Sequence, residues 1–168
     1  KGEEQEAFAA YDSCLQWKDD NVMALNNYAY YLSEKGVDLH KAESMSYKTI
    51  KAEPNNGTYL DTYAWILFME ERYADAKTYI DQALKNRDST ADNSTVLEHA
   101  GDIYYMNGMA DESVDFWKKA YTGENQTEVL AWKIKNRQYI TEEELKKRNA
   151  PKQKPAATKK SVRKGKKK

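Results

Sequence analysis

Two histidines, one cysteine and many carboxylates are the residues of this 168-residue chain that could do chemistry. His40 and His99 stand 59 positions apart, with no second histidine and no paired cysteine near either. A metal ion needs several donors converging at roughly 2–2.5 Å, and the spacing offers no such set. His99 reads instead as a polar residue in a groove or between repeats. The single Cys14 excludes an internal disulfide framework. It falls in a slot that Thr49, Ala83 and Ala120 fill elsewhere, so it reads as a small packed residue and not as a nucleophile. No glycine-rich phosphate loop, nucleophile elbow or HExxH is present. The residues therefore predict no enzyme, no metal, no cofactor and no small-molecule substrate.

The elements that must position any site are short amphipathic helices in pairs. In Gly57–Asp88, Leu60, Tyr63, Ala64 and Leu67 fall at i, i+3, i+4 and i+7, one stripe of a helix. After a turn at Glu71-Arg72, a second stripe holds Tyr73, Ala76, Ile80, Ala83 and Leu84. Trp65 and Phe68 lie off the first stripe, which points them away from the contact within the hairpin. The same pattern returns along the chain. A small slot recurs at Ala29, Ala64 and Gly101, spaced by 35 and 37 residues. A second runs Ala7, Ala42, Ala76, Ser113; a bulkier one runs Tyr11, Ser46, Ile80, Trp117; another runs Cys14, Thr49, Ala83, Ala120. Asn21, Asn56 and Asn93 each precede a first helix, where their side chains can cap free N–H groups. Hairpins of this kind cannot bury their apolar stripe alone and must stack.

A period near 34 with these registers resembles the tetratricopeptide repeat, or TPR, over roughly residues 7–121. The family's first-helix pattern appears as Leu60, Tyr63, Ala64, Leu67 and as Leu97, Ala100, Gly101, Tyr104; its closing proline appears at Pro54. The resemblance implies an all-α, right-handed solenoid of helix-turn-helix repeats, closed by a C-terminal cap helix. It also implies a concave face lined by the first helices. Carried over by position, that lining is Asn26 and Tyr30; Asp61, Trp65 and Phe68; Glu98, Asp102 and Tyr105. Aromatic rings beside carboxylates suit a protein or peptide partner with apolar and basic residues. Some family members grip a C-terminal carboxylate with cations at these positions; Asp61 and Glu98 would repel one. The phrasing of the repeats resembles bacterial members, many of them exported or lipid-anchored, which implies a periplasmic or outer-membrane setting, with a cytoplasmic one as the alternative.

Charge divides the chain. Residues 1–144 carry 15 Lys/Arg against 27 Asp/Glu, whereas residues 145–168 carry 12 Lys/Arg and no acid. No apolar run approaches the roughly 18–20 residues of a membrane span. Taken in order, the sequence predicts a half repeat over 1–20, repeats over 21–54, 55–88 and 93–125, a cap helix over 127–143 and a disordered basic tail over 144–168. The cap should show an apolar edge of Val129, Trp132, Tyr139 and Ile140 and a basic, solvated face. The lone second helix at the start, and Lys in place of Met, read as a fragment or processed product of a longer array. Lys159, Lys160, Arg163, Lys164, Lys166, Lys167 and Lys168 form a stretch suited to nucleic acid or anionic surfaces through phosphate contacts. KPAATKK and the closing KKK also resemble a bipartite nuclear import signal. Two functions follow: a scaffold that binds through its concave face, or a polyanion binder driven by the tail.

Overall fold

The computed structural model describes residues 6, 9–11, 13, 21–89, 91–122 and 125–150. Eight complete helices are described: α1 (Val22–Lys35), α2 (Leu39–Ala52), α3 (Gly57–Met69), α4 (Tyr73–Asn86), α5 (Ser94–Met106), α6 (Ala110–Ala120), α7 (Glu128–Asn136) and α8 (Glu142–Asn149). There is no strand among the described residues, and no helix long and apolar enough to cross a membrane. Helices pair as α1–α2, α3–α4 and α5–α6, and each pair packs on the next, α1 and α5 both touching α3. This is an α-solenoid.

The small slots explain the close pairing. Ala29, Ala42, Ala64, Ala76, Ala83 and Ala120 are fully buried, as are Ser46, Thr49, Ile80, Ser113 and Trp117. Leu60, Leu67, Ile80 and Ile103 fill the middle of the stack, each contributing about 1.5–3 kcal/mol by leaving water. Ala7 and Cys14 lie outside the described residues. Tyr11 is described, and its ring stacks on Tyr28 at 5.1 Å and 7°.

The three hairpin turns share a left-handed residue at the same slot, Gly36 (φ 63°), Glu71 (φ 61°) and Gly108 (φ 79°), and the first, longer turn adds a second at Asp38 (φ 47°). The bonds repeat as well. The N–H groups of Gly36 and Val37 donate to Ser33 and Leu32, those of Glu71 and Arg72 to Phe68 and Leu67, and those of Gly108 and Met109 to Tyr105 and Tyr104. These satisfy carbonyls that the helix end would otherwise leave unpaired. At the helix starts, Asn21 accepts from the Ala24 N–H at 3.1 Å, and Asn56 from Thr58 and Tyr59 at 3.1 and 3.3 Å. Asn93 differs from expectation. Its amide donates back to the Asp88 and Ala91 carbonyls, both at 2.8 Å, and Asp92 takes the Ser94 N–H at 2.9 Å instead. The longer link before α5 needs its own carbonyls satisfied, and Asn93 does that.

The end of the chain departs most from the sequence reading. The expected single cap helix over 127–143 stops at Asn136, where Arg137 turns left-handed (φ 55°). Its basic face is not solvated throughout, because Lys133 is only 3% exposed. Residues 142 and 143, expected to end the cap helix, and 144–149, expected to begin a disordered tail, together form a separate helix, α8. Thr141 and Glu144 make a reciprocal capping box, Lys147 pairs with Glu143 one turn away at 2.8 Å, and Leu145 is buried. Acids in its first turn and bases in its last oppose the helix dipole. Composition pointed to disorder; local capping and one buried leucine outweighed it.

Candidate partner-binding face

The first helices α1, α3 and α5 lie side by side and present two adjoining clefts. The larger, about 890 Å³, is walled by Tyr30 and Glu34 of α1, Trp65 and Met69 of α3, and Glu98, His99 and Asp102 of α5. Lys133, Tyr139 and Leu145 close it from the C-terminal side. The smaller, about 570 Å³, lies toward the starts of the same helices, with Asn26, Asn56, Thr58, Asp61 and Val96 among its walls; Tyr30 and Thr95 belong to both.

An aromatic stack forms the floor between α3 and α5. Trp65 lies parallel between Phe68 (4.8 Å, 11°) and His99 (4.1 Å, 12°), and its Nε1 donates to Glu34 at 2.9 Å. His99 Nδ1 meets both oxygens of Asp61, at 3.0 and 3.2 Å. Burial alone pushes the His99 imidazole down. The Asp61 charge and hydrogen bond, with Asp102 and Glu34 behind them, outweigh burial and leave it above the usual histidine value. Burial raises the Tyr30 phenol, and the Glu34, Asp61 and Glu98 carboxylates raise it further.

A second polar knot ties α5 to α7. Lys133 Nζ donates to Asp102 at 2.7 and 2.8 Å and to Glu98 at 3.2 Å, while Trp117 Nε1 donates to Asp102 at 2.8 Å. Burial pushes the Asp102 carboxyl up, Lys133 and Trp117 pull it back, and the net direction is up. The Tyr139 ring meets Phe68 edge-on at 5.7 Å.

The structure sorts the expected site residues. Tyr30, Trp65, Glu98 and Asp102 wall the larger cleft, and Asn26, Tyr30 and Asp61 the smaller. Phe68 and Tyr105 wall neither. Phe68 is 5% exposed and packs against Tyr73 and Tyr139, and Tyr105 leans on Trp117. Both aromatics follow core packing and not the groove. Asp61 and Asp102 are already paired, so neither is a bare carboxylate. Glu34, Lys133 and Tyr139 were not foreseen. A signal existed for Lys133, because stepping 35 residues from Asn26 gives Asp61, and 35 from Glu98 gives Lys133. Lys159, Lys160, Arg163, Lys164, Lys166, Lys167 and Lys168 lie outside the described residues.

His40, read from sequence as isolated, comes together with Glu43 and Glu70, close enough in space to hold a cation. Arg72 occupies that role: its Nη1 bridges Glu43 at 2.7 Å and Glu70 at 3.2 Å. The cluster is an exposed ion-pair network that steadies the turn into α4.

No family model matches the chain. Over 66 residues, 39% of its length, it is 35% identical to a TPR repeat-containing protein of Pseudomonas aeruginosa, of which it spans only 11%. The first TPR domain of the human RPAP3 protein, solved by NMR, superposes with a TM-score of 0.59 at 13% identity; the match covers 69% of this chain and 88% of that domain. At that identity the likeness speaks for the fold alone. Register, stacked hairpins and both likenesses agree on the fold, a solenoid of helix-turn-helix repeats similar to those of tetratricopeptide proteins.

Proposed function

We propose that the chain is a non-catalytic scaffold that holds a segment of a protein partner in the larger cleft. One observation carries the reading: an aromatic stack opens beside the Glu34 and Glu98 carboxylates in a cleft of about 890 Å³. Rings supply contact area at low entropic cost, and carboxylates select basic side chains. A displayed peptide library panned on the wild-type chain should enrich sequences that combine basic and apolar residues. Panning on Glu34→Lys, an exchange on an exposed rim residue, should lose the basic preference. Enrichment that ignores Glu34→Lys and Trp65→Ala alike would overturn the reading.

The charge asymmetry supports a second reading, in which the basic tail binds polyanions. Removing residues 151–168 should then abolish binding to single-stranded DNA, and the intact chain should lose affinity steeply with salt. Binding that survives the truncation would sink it.

A further inference from the structure

The smaller cleft holds an unanswered acceptor. Asn26 in its wall is 4% exposed, and its carboxamide oxygen accepts no hydrogen bond. A buried carbonyl oxygen without a donor keeps the cost of its lost water. The terminal torsion of asparagine is soft, so the carboxamide of this cleft-lining residue can turn its oxygen to an incoming donor. The charges around it have one dominant sign. Asp61, Asp88 and Asp92 share the wall with a single guanidinium, Arg87. That guanidinium already donates to the Leu84 carbonyl, and the Ser94 backbone N–H holds the Asp92 carboxyl below its usual range. Apolar surface from Ala91, Val96 and Gly57 completes the wall.

We infer that the smaller cleft is a lysine pocket, taking the side chain of a partner lysine with its ammonium on Asn26 Oδ1 and its stem along the apolar wall. The inference rests on the peptide-binding reading above and adds a second subsite to it. A narrow ammonium with three donors reaches one recessed acceptor in the negative field of Asp61, itself paired with His99, and of Asp92, which also accepts from Ser94, whereas a planar guanidinium is shaped for two parallel bonds. Tyr30 and Thr95, shared by both clefts, set the lysine pocket beside the aromatic cleft. One extended segment crossing Tyr30 would then reach both.

The test is an NMR titration of the isotope-labelled chain with blocked nine-residue peptides of alanine and glutamine carrying one central lysine, norleucine or arginine. The lysine peptide should shift the Asn26 side-chain amide pair and the Thr58 and Val96 backbone amides. Norleucine should bind at least about tenfold more weakly, the scale of one charge-assisted hydrogen bond. Asn26→Leu should remove most of the preference for lysine over norleucine, the surrounding carboxylates keeping the remainder. Because Asn26 is buried, the surface exchange Asp92→Asn, which keeps an acceptor for Ser94, gives an independent arm and should weaken binding about two- to fivefold. The Trp65 indole N–H reports the larger cleft separately. If it moves while Asn26 stays still, the lysine pocket is wrong and the scaffold reading stands. If Asn26 moves while Trp65 stays still, the lysine pocket stands and the larger cleft is not where the segment is held. Equal response to norleucine, or no response at Asn26 up to millimolar peptide, overturns the proposal.

Discussion

The middle hairpin, α3 with α4, and the last, α5 with α6, fill matching slots with opposite volumes. The middle one uses Ala64 and Ile80; the last uses Gly101 and Trp117, all packed without exposure. A Cβ added to Gly101 would fall 2.3 Å from Trp117 Cδ1 and 2.4 Å from Nε1, closer than atoms tolerate. The indole consumes the space of a methyl group and adds a donor, which it gives to Asp102. Asp102 in turn holds Lys133 of α7. The middle hairpin reaches its neighbour through Asp61 and His99. A repeat register thus specifies where volume goes, while the polar partner of each hairpin depends on what stacks beside it.

That contrast can be broken most severely at Lys133. Lys133→Ala strands the Asp102 carboxylate in the interior, and breaking a buried pair typically costs about 3–5 kcal/mol. Urea unfolding measures it, and a loss below about 1 kcal/mol would mean that α7 is not bound to the last hairpin as described. Gly101→Ala should come next. Overpacking against a rigid buried indole belongs at the upper end of about 1–3 kcal/mol. Adding Trp117→Ile, which copies the middle pair, should recover part of that loss; no recovery would mean that the two volumes are not traded. Ala64→Leu should cost about 1–3 kcal/mol too, but less than Gly101→Ala, because Ile80 can change rotamer where an indole cannot. An unchanged thermal midpoint would show the middle register to be misread.

The mildest test is pH. His99 has a folded pKa above its unfolded value of about 6.5, so the folded state binds its proton more tightly. The stability from the Asp61 pair is therefore fully present below about pH 6.5 and is lost as pH rises through the higher folded value. The charged groups acting on the imidazole are Asp61, Asp102 and Glu34. His99→Gln should flatten the slope of stability above pH 6.5 relative to wild type. Identical slopes would remove His99 as the source.

Sequence spacing located the packing well because volume and period are written locally. Ala29, Ala42, Ala64, Ala76, Ile80 and Ala120 could each be placed inward by counting, and each is buried. The placement of Tyr30, Trp65 and Glu98 follows from the same count, and all three line the larger cleft. Availability was not legible. Whether Asp61 and Asp102 are free depends on His99 and Lys133, 38 and 31 residues away and on other helices. Phe68 went wrong because its neighbour Tyr139 comes from beyond the last hairpin. At α8 the sequence carries its own clue, because a Thr141 to Glu144 capping box holds a helix whose composition is otherwise that of a tail.

The left-handed turn slot, glycine at 36 and 108 and glutamate at 71, carries a consequence for how this chain tolerates change. A glutamate held at φ 61° strains a backbone that glycine adopts freely, while the hydrogen bonds of the turn are the same in all three hairpins. Position 71 borders neither cleft. The middle turn is thus an untapped reserve: Glu71→Gly would relax it and offset destabilising exchanges elsewhere, giving the binding face mutational headroom without altering a single residue that forms it.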